Sequence, residues 1–228
     1  MVEESYDHVL QQLMAEIVLP KSQRPAFFFD GTTVRMPHCA ELMEAYPPTR
    51  NQHGESHWPL LRLLVAHDLE SGLALRPAWG PVNGDQAVSE QSLLEEAIDR
   101  LPPEAIVVGD ANFGIFSVAY AAQRHGHPVL LRLTTARAQR LAGGRLADRT
   151  DCYIEWKPTR EDRRSHPELP AHASVCGRLI VRQVYPRNGA PAFLLALFTT
   201  LEDAVTEVVE RYGKRWTIEV DLRTMKNT

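Results

Sequence analysis

No apolar run in this sequence reaches the roughly 18 residues that a membrane-spanning helix needs. The first residues, MVEESYDHVLQQ, are acidic and lack the basic start and apolar centre of a secretory signal. Cysteine is scarce, and the three that occur (Cys39, Cys152 and Cys176) lie far apart in the chain. We therefore expect a protein of a reducing compartment, without a membrane span, a disulfide framework or a Cys-x-x-Cys zinc site.

The chain also lacks an overall positive charge, since its formal net charge is −4. Its charges are unevenly distributed, however. Residues 1–110 hold 7 Lys and Arg against 17 Asp and Glu, whereas residues 121–187 hold 13 against 6. Arginine dominates the basic segment, and its arginines include those at positions 132, 137, 140, 145, 149, 160, 163, 164, 178, 182 and 187. Arginine clusters suit phosphate backbones through bidentate contacts, although a solubilising surface explains them equally well.

Residues 201–226 have apolar residues at helical spacing and predict a single helix. Tyr212, Arg215, Glu219 and Lys226 follow one another in steps of 3, 4 and 7 residues, which places them on one side of that helix. A carboxylate flanked by cations suits a metal ion beside phosphate groups. The alternative is a solvated face with pairing between turns, such as Arg215 with Glu219.

Aspartates follow two apolar strands earlier in the chain. The segment AFFFDGTTVRMP predicts a buried strand over 26–29 that stops at Asp30, turns at Gly31 and resumes over 32–36. Pro37 should end the pairing, and 38–58 should be irregular. The strand over 106–108 is wholly apolar, as in a sheet covered on both faces, and Asp110 follows it.

The remaining pattern predicts an α/β fold. A strand over 60–69 and its return over 73–80 form a meander with the first strand, and Ser89 caps a helix. A helix over 116–125 and a strand over 128–134 indicate a parallel crossover. From 135 the chain turns Arg-rich and β-rich. Trp156, in this part, favours the strand core over stacking on an unpaired base.

The three acids resemble those of a known family, the DDE transposases of bacterial insertion sequences, in FFFDGTTVRMP, IVVGDANFG and the last helix. That helix is similar to the signature Tyr-x2-Arg-x3-Glu-x6-Lys of one such family. The resemblance implies a ribonuclease-H-like mixed sheet flanked by helices, with a β-rich insertion before the last helix. The implied domains are a helical lead-in (1–25), the first part of the catalytic core (26–134), the insertion (135–199) and the final core helix (200–228).

By that resemblance Asp30, Asp110 and Glu219 would be the catalytic acids and would bind two Mg²⁺ or Mn²⁺ ions. Tyr212, Arg215, Lys226 and Arg132 would contact DNA phosphates. The implied partners are double-stranded DNA, at transposon ends and target, and a second copy in a dimer on DNA. The implied location is the bacterial cytoplasm, at the nucleoid, without membrane contact. The implied reaction is cleavage at the element ends followed by strand transfer.

Some features depart from this family. Ala111 stands where many relatives carry a basic residue, and the chain is shorter than its relatives at both ends. A truncated, catalytically impaired remnant that only binds DNA is therefore the alternative. Haloacid-dehalogenase-like phosphohydrolases share the Asp-Gly-Thr and Gly-Asp pieces, but Phe28 stands where their nucleophilic aspartate would be. Without that nucleophile no aspartyl-phosphate forms.

Overall fold

The computed structural model of the chain describes residues 8, 9, 12, 24–51, 54–186 and 189–215. Eight of its strands form one mixed sheet, and helices flank it, which confirms the predicted α/β, ribonuclease-H-like fold class. Taken in chain order, the elements are β1 (Ala26–Arg35), α1 (Ala40–Ala45), β2 (Arg50–Asn51), β3 (Gly54–Glu55), β4 (Leu60–Asp68), β5 (Ala78–Pro81), α2 (Glu90–Ile98), β6 (Ile106–Gly109), α3 (Phe116–Arg124), β7 (Val129–Arg132), α4 (Thr135–Ala142), β8 (Thr150–Trp156), α5 (Arg160–Ser165), β9 (Val175–Val184), β10 (Phe193–Thr199) and α6 (Val205–Gly213).

The strand order in the large sheet is β5-β4-β1-β6-β7-β10-β9-β8, and β2 with β3 forms a separate small hairpin. The chain divides into two compact units. The first unit comprises 1–23 and 29–101, and the second comprises 24–28 and 102–228. Among the described residues, no helix is both long enough and apolar enough to span a membrane.

In the first unit, the strands of the predicted meander occur, with a shorter return strand. Strand β5 covers only Ala78–Pro81 and pairs antiparallel with β4, while the expected start near 73 makes a single bridge, His67 to Ala74. Helix α2 begins at the predicted cap: the Ser89 hydroxyl accepts from the Ser92 amide at 3.0 Å. Its apolar side is buried at Leu93, Leu94, Ala97 and Ile98.

Two predictions for the first unit are wrong. Strand β1 runs without a break through Asp30 and Gly31, so that the predicted stop and turn do not occur. Gly31 does not adopt a positive φ, and its missing side chain instead makes room for a neighbouring carboxyl group. The segment 38–58 is not wholly irregular, because it contains α1 and the β2–β3 hairpin.

In the second unit, β6 and β7 form the centre of the core. They pair in parallel, with Gly109 opposite Leu131, and every residue of β6 is buried. The parallel pairing and the intervening helix α3 confirm the predicted crossover unit. Backbone hydrogen bonds fix the start of β6: the Ile106 amide donates to the Pro25 carbonyl, and the Val107 amide donates to that of Pro128. A strand without exposed polar side chains is thus stable because both faces are covered.

The segment 135–199 contains three strands and two helices, α4 and α5. Strand β10 pairs antiparallel with β7, and β9 and β8 follow it outward, so the β-rich part continues the sheet. Trp156 is only 3% exposed. It packs edge-on against Phe198 and Phe116, with centroid separations of 4.9 and 6.1 Å. The core interpretation of Trp156 is therefore confirmed.

A buried arginine fixes the chain segment that leads into α6. Arg178, 8% exposed, donates to both carboxylate oxygens of Asp151 at 3.1 and 2.8 Å. Its remaining nitrogen donates to the carbonyls of Leu201 (3.3 Å) and Asp203 (2.8 Å). The Asp203 carboxylate in turn accepts from Arg211 of α6. These bonds hold 201–203 in an extended turn, which is why the helix begins at Val205 rather than at 201.

We predict that Arg178→Met lowers the free energy of unfolding by about 2–3 kcal/mol, because it leaves a partly buried carboxylate and two carbonyls without their donor. Urea unfolding monitored by tryptophan fluorescence measures this. Arg145→Met is the matched control, since Arg145 is exposed and makes no hydrogen bond with the described residues. Equal stability of the two variants would contradict the structural role of Arg178.

The same ion pair predicts an acid-dependent loss of stability. The hydrogen bond from Arg178 holds the pKa of Asp151 below its ordinary value. Because the folded-state pKa is the lower one, this stabilisation is present above about pH 4 and is lost as the pH falls through the depressed pKa. Urea midpoints of wild type and Asp151→Asn should therefore converge between about pH 5 and pH 2. Midpoints that stay a constant distance apart would refute the assignment.

Candidate active site

Asp110 lies where β6 ends and a tight loop begins. Its Oδ1 accepts hydrogen bonds from the backbone amides of Asn112, at 2.8 Å, and Phe113, at 3.4 Å. The loop closes with the Gly114 amide donating to the Asp110 carbonyl at 2.9 Å. No donor among the described residues reaches Oδ2. The half-buried carboxylate is thus held by its own loop and keeps one oxygen available for a ligand.

Two glycines let this loop fold down onto β7. A β-carbon at Gly114 would lie 1.8 Å from the Arg132 carbonyl oxygen, and one at Gly109 would lie 2.7 Å from the Phe113 β-carbon. The register pairs Gly109 with Leu131, which puts Asp110 and Arg132 at the same level on adjacent parallel strands. Neighbouring strands are about 4.8 Å apart. Asp110 and Arg132 therefore lie side by side at the carboxyl edge of this strand pair.

In the first unit, Asp30 lies in the middle of β1 and is half-buried. The next residue, Gly31, packs under Glu90: its β-carbon would lie 2.2 Å from the Glu90 carboxyl carbon. Glu90 is the first residue of α2, and one of its oxygens lies 3.9 Å from a guanidinium nitrogen of Arg62 on β4. A second carboxylate and a cation thus flank the strand next to Asp30.

Two more predicted site residues lie at the end of helix α6, Tyr212 in its last turn and Arg215 two residues after it. Tyr212 and Arg215 are 2% and 4% exposed, and the Arg215 guanidinium carbon lies 4.9 Å from the centre of the Tyr212 ring. Such a cation–π contact stabilises a buried guanidinium. The three-residue step therefore does place both side chains together, but in a buried pair. Their contact with a phosphate stays a prediction.

Glu219 and Lys226 lie outside the described residues. Asp30 belongs to the first unit and Asp110 to the second, so that the meeting of the three acids also stays a prediction. Within the described part of the chain, no three His, Cys, Asp or Glu side chains form a group that could hold a metal ion. The donor chemistry nevertheless fits a hard divalent cation, because Asp110 offers a fixed carboxylate oxygen and such ions prefer oxygen ligands.

The comparisons with known proteins decide the family. A family model described as a transposase DDE domain matches residues 21–228. The chain belongs to this family. No curated protein matches it. Membership makes this a transposase-type domain, implies a DNA substrate, and places it in a family that generally uses divalent metal ions.

The site contains contacts that sequence reasoning missed. Glu90 was assigned only to a helix, and Arg62 only to a strand. Their side chains meet through the pairing of β4 and the docking of α2, which sequence spacing does not reveal. The two backbone amides that hold Asp110 were missed as well. The sequence Asp-Ala-Asn-Phe-Gly nevertheless contains a usable signal. An aspartate side chain often accepts a hydrogen bond from the backbone amide two residues later and so forms a local turn.

The loop of this transposase domain makes a sharp test possible. We predict that Gly114→Ala lowers the free energy of unfolding by about 1–3 kcal/mol or more and displaces Asp110, because the added carbon would overlap a backbone carbonyl that cannot turn away. Gly144→Ala is the control: no atom lies within 4 Å of its added carbon. Thermal unfolding compares them. Equal melting temperatures would show that the loop tolerates a side chain.

Proposed function

We propose that this domain cuts DNA by metal-dependent phosphoryl transfer at Asp30, Asp110 and Glu219. The observation that supports it most is the Asp110 carboxylate, with one oxygen held by two backbone amides at the edge of a rigid, buried strand pair. A ligand fixed in this way binds an ion without first losing rotamer freedom. Bound between the three carboxylates, two Mg²⁺ or Mn²⁺ ions would activate the attacking oxygen and stabilise the leaving one.

The chain's own residues would hold the DNA for this reaction. Arg132, level with Asp110, would bind a phosphate oxygen through its guanidinium. Lys226 would contribute a second cation. Tyr212 and Arg215 form a buried pair, which would support the segment that leads to Glu219 and would contact a phosphate.

The reaction proceeds in two displacements under this proposal. A water oxygen attacks the phosphorus, the bond to the 3′ oxygen breaks, and a 3′-hydroxyl and a 5′-phosphate result. The 3′-hydroxyl then attacks a phosphodiester of the target and releases a new 3′-hydroxyl there. Both steps use the same three carboxylates. A dimer on DNA would bring two ends together for the second step.

Metal-dependent nicking of a supercoiled plasmid tests the proposal. The 228-residue chain should relax the plasmid with Mg²⁺ or Mn²⁺ and not with EDTA. Asp30→Asn, Asp110→Asn and Glu219→Gln should each reduce the rate more than about 100-fold, because a lost ligand costs at least as much as a lost partner of a ligand. Gel electrophoresis over time measures the rates.

Asp85→Asn is the matched control, since Asp85 is an exposed acid on the loop before α2. It should nick at the wild-type rate. Salt-sensitive DNA binding without nicking would instead support the non-catalytic remnant. Nicking that survives the substitutions at the three acids would overturn the site.

A further inference from the structure

The segment 199–203, which leads from the last residue of β10 to α6, is fixed along its whole length. Each of its five residues makes a hydrogen bond through its side chain or its backbone, and we call this segment the clamp. One side of the clamp binds the start of β7. The hydroxyl of Thr199, a fully buried residue, donates to the Val129 carbonyl at 2.8 Å. The Thr200 hydroxyl accepts from the Val129 amide at 3.0 Å, so a core strand anchors this side of the clamp.

The other side of the clamp binds the two strands at the outer end of the sheet. Arg178 of β9 donates to the carbonyls of Leu201 and Asp203. Tyr153 of β8 donates its hydroxyl to the Glu202 carboxylate at 2.6 Å. The Tyr153 side chain is 69% exposed, whereas Arg178 is buried. Arg178 is therefore the stronger link, because a charged donor that is shielded from water makes the stronger hydrogen bonds.

The end of the clamp also binds α6 itself. The Asp203 carboxylate accepts from Arg211, and the Ala204 amide donates to the Glu207 carboxylate at 3.2 Å. Val208 of the same helix is completely buried, so that one side of α6 faces the core. These contacts set both the starting point of α6 and its rotation about the helix axis. A regular helix carries both to the residues that follow it.

The clamp and Asp110 share one rigid support. Strands β6 and β7 pair in parallel, with Val107 opposite Val129 and Gly109 opposite Leu131. Every residue of β6 and the first three of β7 are buried. Asp110 follows the end of β6, and the clamp is bonded to the start of β7. The position of α6 is thus set relative to the strand pair that carries Asp110.

We propose that Arg178 is a positioning residue for Glu219 and acts on it through the clamp and α6. The inference rests on the proposed function, in which Glu219 is a metal ligand. The sequence predicts that the helix continues past Arg215 to Glu219, four residues later. A shift at the start of the helix then displaces this carboxylate relative to Asp110, and a displacement of about 1 Å costs about 100-fold in rate. Strands β8 and β9 thus support the site although neither carries one of the three acids.

Arg178→Lys tests this role, because lysine keeps the positive charge but lacks the planar fork that reaches several acceptors at once. Binding of Mn²⁺ to the 228-residue chain without DNA is measured by electron paramagnetic resonance, and plasmid nicking is measured over a series of Mg²⁺ concentrations. The Mn²⁺ dissociation constant and the half-saturating Mg²⁺ concentration should both rise about tenfold, as expected when the support of a metal ligand is lost. Thermal unfolding establishes a temperature at which all variants are folded.

Asp162→Asn is the matched control. Asp162 caps α5 by accepting from the amide and the hydroxyl of Thr159, so this variant loses stability on a helix outside the clamp. It should bind Mn²⁺ with the wild-type constant. In a Glu219→Gln background, Arg178→Lys should cause no further change, since the residue through which it acts is already lost. Equal rises in Arg178→Lys and Asp162→Asn, or a further tenfold rise in the Glu219→Gln background, would overturn the inference.

Tyr153→Phe is a milder second test, which serves even if Arg178→Lys does not fold. It removes one hydrogen bond from the clamp at an exposed side chain and should raise both constants about two- to threefold. Unchanged constants in this variant, with a wild-type chain that binds Mn²⁺ and nicks, would refute the inference alone. A wild-type chain that neither binds Mn²⁺ nor nicks would instead refute the proposed function.

Discussion

The second unit depends on one buried guanidinium. Arg178 joins β8, through Asp151, to the carbonyls of the segment that precedes α6. A buried cation is costly unless its donors are used, and here all three nitrogens donate. The guanidinium of Arg178 therefore restricts where its acceptors can lie, because an arginine presents its donors in a fixed planar fork. The position at which α6 begins follows from that constraint.

A second constraint acts at Asp110. A carboxylate at a strand end would ordinarily rotate, but the amides of the following loop fix it, and the loop can approach only because residues 109 and 114 are glycine. The core supplies the rigid base, since all of β6 is buried. The buried strand, the two glycines and the two hydrogen bonds together thus fix the position of Asp110 Oδ1.

Much of the fold could be predicted from the sequence, because its elements follow local rules. The Ser89 cap, the apolar run of β6 and the crossover through α3 were all visible as patterns. The errors have a common origin. Asp30-Gly31 resembles a turn, yet both residues lie within β1, and a side chain from α2 occupies the space that a side chain at Gly31 would need. Local chemistry favoured the turn, and tertiary packing decided otherwise.

The sequence proposes residue types for the site, and it says less about their environment. Both aspartates were proposed from their positions after apolar runs, and their catalytic role stays a prediction. The burial of Tyr212 and Arg215 was not, because a helical step places two side chains together without saying whether solvent or core covers them. The contact of Glu90 with β1 joins residues 59 positions apart, beyond the reach of any local pattern.

Charge shows most clearly why the composition alone misleads. A net charge of −4 would repel DNA at long range. At physiological salt, however, exposed charges more than about 8 Å apart barely interact, so a phosphate that approaches a protein surface senses mainly the charges within that distance. The stretch 132–147 holds four arginines and no acid, although residues 1–110 hold 17 Asp and Glu. A protein that is acidic as a whole can therefore bind a polyanion wherever its fold has used up the nearby carboxylates.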